Sequence, residues 1–205
     1  MKFSNETIAT VVIIILLVLL GSFLYTPLFE NPGMIFKEAP LIKNKELQLL
    51  PGEIYVYAYV FNGTQINMTY SVSDGGNCTR IRVLESVNLS QTCLDKWGMD
   101  TQRYNATLEN QQIIFFKPWM LALKDGWKWK NAMYIDYNGA PYPVSTSEYR
   151  VMRLEEYMNR SVFVVEIKSD GGVEYDWVDA DKRIILKMIG PGYEINLVNE
   201  TNVPQ

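Results

Sequence analysis

A chain of 205 residues has room for one domain and an appendage, and its 48% hydrophobic and 20% charged residues exclude wholesale disorder. A formal charge of −4 gives no electrostatic case for binding nucleic acid. The chain has no histidine, which removes the usual general base, the usual proton shuttle and the commonest metal ligand.

An apolar run comes first. Between Glu6 and Glu30 lie 23 residues without a charge, and Ile8 to Leu20 reads IATVVIIILLVLL. That length suits a bilayer core, where a single span must satisfy its own backbone and is therefore helical. Pro27 limits the helix just past Tyr25. Residues 1–26 therefore read as a short tail and a transmembrane signal anchor. A cleaved signal peptide is the rival, but the run is long, only Lys2 precedes it, and Leu20-Gly21-Ser22 is a mediocre cleavage site. Residues 27–50, punctuated by Pro32, Gly33 and Pro40, read as a stalk or linker.

Two features orient the chain. Asn-x-Ser/Thr sequons occur at Asn5, Asn62, Asn67, Asn77, Asn88, Asn105, Asn159 and Asn199. Chance would supply about one or two, and all but Asn5 follow the span. The two cysteines, Cys78 and Cys93, also follow it and read as a disulfide formed in an oxidising compartment. Closing their loop of about 15 residues is worth roughly 3 kcal/mol. The expected location is the cell membrane, with the C-terminal part extracytoplasmic.

Residues 51–200 read as a β-rich domain, with 201–205 a tail. In Gln65–Ser73, Ile66, Met68, Tyr70 and Val72 alternate with polar residues, so Asn67 falls on the wet face. Asn62 sits in Phe-Asn-Gly-Thr, a hairpin signal. Arg103–Leu108 alternates likewise. Further strand candidates are Ile54–Phe61, Arg80–Val87, Gln112–Phe116, Trp127–Tyr137, Tyr149–Leu154, Val162–Lys168, Val173–Val178, Ile184–Ile189 and Tyr193–Val198. Lys117–Gly126 reads as a helix, with Pro118 in its first turn and Gly126 at its C-terminal cap. The expected fold class is α+β: an N-terminal transmembrane helix, then a curved antiparallel sheet carrying one or two short helices.

The strand Ile54–Phe61 is apolar on both faces. Tyr55, Tyr57, Tyr59 and Phe61 line one, and Ile54, Val56, Ala58 and Val60 the other. Burial on both sides is one reading. The other makes the aromatic face a candidate ligand wall, extended by Trp119, Trp127 and Trp129. Core packing explains those tryptophans equally well.

No G-x-S-x-G, P-loop, dinucleotide fingerprint or zinc spacing occurs, so no cofactor and no metal are expected. Asp176, Asp179 and Asp181 could present oxygens to Ca²⁺, but Lys182 and Arg183 follow immediately and the segment reads as an ordinary turn. Glu155 and Glu156 form a carboxylate pair only if another acid faces them.

The C-terminal half carries a longer pattern. It runs from Trp127-Lys128-Trp129 through Ser147–Val151 and Arg160–Glu166 to Tyr175-Asp176-Trp177-Val178-Asp179, turns to Arg183 and Ile184–Lys187, and closes on Tyr193–Leu197. This resembles extracytoplasmic domains of the LolA-like, lipoprotein-carrier-like half-barrel superfamily over about residues 127–198. The resemblance implies a curved antiparallel sheet wrapped round helices, enclosing in some members a hydrophobic ligand such as an acyl chain. The anchor and the sequons depart from the soluble carriers. The expected function is a non-catalytic, single-pass, N-glycosylated surface protein whose domain binds a hydrophobic ligand such as a lipid, or an envelope protein. Its rivals are a structural subunit of a surface assembly and a carboxylate-dependent enzyme acting on envelope polymers.

Overall fold

The computed structural model describes residues 38–85, 88–102, 113–137 and 140–202. The chain divides into two units, 1–35 with 135–142 and 36–134 with 143–205. Of the first, only the strand ends at 135–137 and 140–142 are among the described residues.

Ten strands are described: β1 (Glu53–Phe61), β2 (Thr64–Asp74), β3 (Thr79–Glu85), β4 (Asn88–Leu94), β5 (Lys128–Tyr137), β6 (Ala140–Tyr157), β7 (Arg160–Ser169), β8 (Gly172–Asp179), β9 (Ile185–Gly190) and β10 (Tyr193–Asn202). They form one sheet in the order β4-β3-β2-β1-β10-β9-β8-β7-β6-β5, and each pair of described register is antiparallel. Two meanders thus meet where β1 pairs with β10 at the centre. The hairpins follow from turn chemistry: Asn62 and Gly63 both take positive φ, 49° and 76°, which matches the right-handed twist of β1 and β2.

This order puts β4 and β5 at opposite edges, so the chain between them must run from one edge to the other. Of its described parts, 95–102 and 113–127, the second packs against the inner face of the sheet. Ile113, Phe115, Phe116, Trp119, Met120, Leu121 and Leu123 are all buried there with Tyr55, Tyr57 and Tyr70. Burying each such side chain fully is worth about 1.5–3 kcal/mol. Polar contacts pin the crossing: Ile185 N donates to Phe115 O at 2.8 Å, and Arg183 Nη2 donates to Leu123 O at 3.1 Å. Residues 38–50, read from sequence as the end of a linker, lie against the same crossing. Asn44 N and Lys45 N donate to Leu121 O at 3.0 and 3.2 Å, and Leu49 is buried.

The expected α+β class is corrected by this architecture, which is nearly all antiparallel sheet. The helix expected over 117–126 is a 3₁₀ segment of five residues, Pro118–Ala122. Its bonds run i to i+3, Met120 N to Lys117 O and Leu123 N to Met120 O, and Leu123 is already extended at φ −60°, ψ 135°. Pro118 supplies no donor, and every residue of the segment is buried, so tertiary packing overrides helix propensity. The expected transmembrane helix lies outside the described residues. Among the described residues no helix is long and apolar enough to cross a membrane. Gln112–Phe116 was expected as a strand, yet its described part, 113–116, is irregular; Arg103–Leu108 lies outside the described residues.

Candidate functional site

The aromatic row of β1 points inward, as its alternation requires, but meets protein. Tyr55 and Tyr57 stack on Phe115 with ring centroids 5.2 and 5.7 Å apart. Tyr57 Oη donates to Ile185 O at 2.5 Å, and burial pushes its phenol well above the usual range. Trp119, Trp127 and Trp129 are buried too, packed round Tyr149 at 5.2, 6.4 and 4.9 Å. The candidate wall is therefore filled by the chain's own side chains along most of its length. Only its far end opens: Tyr59 is half-buried and Phe61 is 47% exposed, the two stacked at 6.5 Å.

Below the tyrosines lies a chain of charges that links four segments of the sheet. Glu53 precedes Tyr55 on the same face, and its Oε2 accepts from Tyr55 Oη at 2.6 Å and Leu50 N at 2.9 Å. Lys182 Nζ reaches Glu53 Oε1 at 2.7 Å and Glu200 Oε1 at 2.8 Å. Arg160 then bridges Glu200 to Asp179, whose Oδ1 accepts the backbone N–H groups of Asp181 and Lys182, both at 2.8 Å. Burial pushes Glu200 upward, but Lys182 and Arg160 outweigh it and hold the carboxyl below its usual range. A bulge puts Glu200 in this chain. Tyr57 pairs with Leu197 but Val56 with Asn199, so Val198 is extra and the parity of β10 reverses beyond it.

A second cluster opens to solvent on the same inner face, in a pocket of about 300 Å³ lined by Lys117, Trp119, Tyr149, Glu174, Asp176 and Met188 among others. Glu174 and Asp176, two residues apart on β8, share a face and hydrogen-bond each other through their side chains. Burial first, and the Glu174 carboxylate second, push Asp176 well above the usual carboxylate range, so it holds the proton. Asp176 is 1% exposed, and its Oδ1 has no hydrogen-bond partner among the described residues. Tyr193 Oη also donates to Glu174; its ring crosses Gly190, where any Cβ would overlap it.

The structure separates Asp176, Asp179 and Asp181, which the sequence places in one segment. Period two sends Glu174 and Asp176 to the pocket, whereas Asp179 closes a turn and Asp181 is exposed. Among the described residues no group of three or more His, Cys, Asp or Glu could hold a metal ion. Glu155 accepts from Arg153 Nε at 2.5 Å and Trp177 Nε1 at 2.7 Å, and Glu156 is exposed.

Cys78 and Cys93 form the expected disulfide, tying the β2–β3 turn to β4. Asn62, Asn67, Asn77, Asn159 and Asn199 are all exposed, as a modified asparagine must be. The side chain of Asn88, and Asn105 and Asn5 entirely, lie outside the described residues.

No family model matches the chain, and no curated protein matches it. Among solved structures it is similar to the hypothetical lipoprotein YmcC from Escherichia coli K12, at 13% identity over 77% of this chain and 92% of that one, with a TM-score of 0.37. At that score the likeness carries no argument, and it does not establish the half-barrel superfamily.

Proposed function

We propose that the chain is a non-catalytic, single-pass, N-glycosylated protein of the cell membrane whose extracytoplasmic sheet serves as a binding or structural platform for an envelope protein. The observation that carries this reading is the filled inner face: Tyr55, Tyr57, Trp119, Trp127 and Trp129 pack on one another and on Phe115 rather than lining an open trough. The LolA-like resemblance enters the reading for its curved sheet alone, because those buried rings take the space an acyl chain would need. The exposed sequon asparagines support the extracytoplasmic, glycosylated part of it.

The carboxylate-enzyme reading has one point in its favour, that Glu174 and Asp176 converge in a pocket. Their direct hydrogen bond puts them closer than the roughly 5–9.5 Å that hydrolysis between two acids uses, and Asp176 is only 1% exposed.

Native mass spectrometry of the full-length protein released from detergent tests the proposal. The expected mass is polypeptide plus N-glycans with no one-to-one lipid adduct, and cross-linking in intact membranes yields an adduct with a protein. A stoichiometric acyl lipid that survives release overturns the platform reading in favour of a carrier.

A further inference from the structure

The outer row of β1 poses a problem of its own. Ile54, Val56, Ala58 and Val60 face away from the filled side of the sheet, on a strand in its centre. Ordinary sheets cover such a row with the stems of long charged side chains from neighbouring strands. Here most of the flanking positions are short and polar. On β2 they are Gln65, Asn67, Thr69 and Ser71, opposite Val60, Ala58, Val56 and Ile54. On β10, Asn196, Asn199 and Thr201 stand opposite Ala58, Val56 and Ile54, and the one long side chain is Glu194, opposite Val60. Glu194 pairs with Lys187 at 3.0 Å, and Lys187 lies over Trp177, so both lean away from Val56 and Ile54. Beyond Thr69 the row continues to Leu84, 47% exposed, and beside Asn199 stands the bulged Val198, 56% exposed.

Two of the flanking residues are sequon asparagines. Asn67 pairs with Ala58 from one side and Asn199 with Val56 from the other, so both project from the outer face astride β1. At ~4.8 Å per strand and a stagger of two residues along β1, they stand roughly 12 Å apart. The Asn199 position depends on the bulge. Leu197 faces inward, and unbroken alternation would send Asn199 inward as well; the extra residue Val198 turns it out, with Thr201 of the same sequon beside it. Both sequons therefore present asparagine and threonine together on one exposed surface.

We propose that N-linked glycans at Asn67 and Asn199 lie down on the outer row of β1 and cover Ile54, Val56 and Val60 together with Leu84 and Val198. A pyranose ring has C–H faces that pack on apolar side chains and hydroxyls at its rim that bond to Gln65, Asn196 and the threonines. That suits a row in which Ile54, Val56 and Val60 are half-buried and Leu84 and Val198 at its margins are exposed. The proposal rests on the glycosylated reading of the chain and adds which sequons have a structural task, and what they shield.

Two measurements on the full-length protein from a glycosylating host test it. Glycopeptide mass spectrometry reports occupancy at each asparagine, and hydroxyl-radical labelling reports the exposure of Val56, Leu84 and Val198. In the double variant Asn67→Gln/Asn199→Gln, labelling of those three residues should rise about threefold or more, while Asn159→Gln leaves it unchanged. Thr69→Ala/Thr201→Ala, which removes the same glycans and keeps both asparagines, should reproduce the rise and so separates shielding from misfolding. Absent glycans at both sites overturn the proposal and weaken the glycosylated reading with it. Occupied sites with unchanged labelling overturn the proposal alone, since the sugars then project into solvent. Labelling that stays low in both variants, with a protein cross-linked to the row, assigns the surface to that protein instead.

Discussion

Replacing Lys182 by methionine removes the cation between two buried carboxylates. Its Nζ lies 2.7 Å from Glu53 and 2.8 Å from Glu200, whose side chains are 5% and 9% exposed. Taking one partner from a buried ion pair costs about 3–5 kcal/mol. Lys182 itself is a quarter exposed, Glu53 keeps Tyr55 Oη and Leu50 N, and Glu200 keeps Arg160. The expected loss is therefore near the lower end, about 3 kcal/mol. For a domain of this size that is a fall in Tm of roughly 6–12 °C, read by tryptophan fluorescence of the full-length protein in detergent. The acid side of the stability profile should move as well. Glu200 has a depressed folded pKa, so its contribution is present above about pH 4.3 and disappears as the pH falls through the folded value. Lys182 has a raised one, because Glu200 and Glu53 outweigh the opposing burial, so its contribution is complete below about pH 10.4 and is lost at higher pH. Lys182→Met should abolish the alkaline loss and shift the acid transition upward. The double variant Lys182→Met/Glu53→Gln, which also removes one stranded carboxylate, should be less destabilised than the sum of the single variants by about 1–2 kcal/mol. A single variant within about 1 kcal/mol of wild type, or strict additivity in the double, refutes the reasoning.

Asp176→Asn should behave in the opposite sense: a carboxyl with a raised folded pKa contributes most below about pH 3.9 and loses that contribution as the pH rises. The variant should gain on wild type by up to about 1.4 kcal/mol per pH unit above that point, and parallel melting profiles would contradict the buried proton. Cys78→Ser/Cys93→Ser should cost roughly 3 kcal/mol, the entropy of a 15-residue loop, and reductant should lower the wild-type Tm by the same amount. Tyr57→Phe leaves the Ile185 carbonyl without its side-chain donor in a fully buried site, and urea titration should show a loss of about 1–3 kcal/mol.

Alternation made much of this sheet legible. The tyrosine face of β1, the wet face of β2 at Asn67 and the Asn62-Gly63 hairpin all follow from period two and turn chemistry, because each depends on neighbours along the chain. What stayed hidden depends on pairing and packing that a local pattern does not carry. β4, Asn-Leu-Ser-Gln-Thr-Cys-Leu, has no clean alternation, since its last three residues are all buried, and it forms through pairing with β3. The five residues of Pro118–Ala122 carry a helical signal that their burial against the sheet overrides. A bulge leaves no mark in a local pattern, so the reversal that sends Glu200 inward and Asn199 outward could not be read in advance. The charge chain from Glu53 to Asp179 had one usable hint, a lone acid in phase with the buried Tyr55 and Tyr57.

The two inner carboxylate clusters differ in a way that bears on function. Glu53 and Glu200 keep their charges because Lys182 and Arg160 stand between them, whereas Glu174 and Asp176 stand in direct contact and one of them is neutral. The first arrangement ties β1 and β10 to the turn after β8 and to the start of β7, so it closes the seam where the two meanders meet. The second couples β8 to β10 through the Tyr193 hydroxyl on Glu174, one strand beyond the gap at Gly190. Glu53, Glu200 and Glu174 are engaged with other strands of the same sheet, and the more perturbed carboxyl, Asp176, is the more deeply buried. Charge placed in this way holds β1, β7, β8 and β10 together across the line where the two meanders meet.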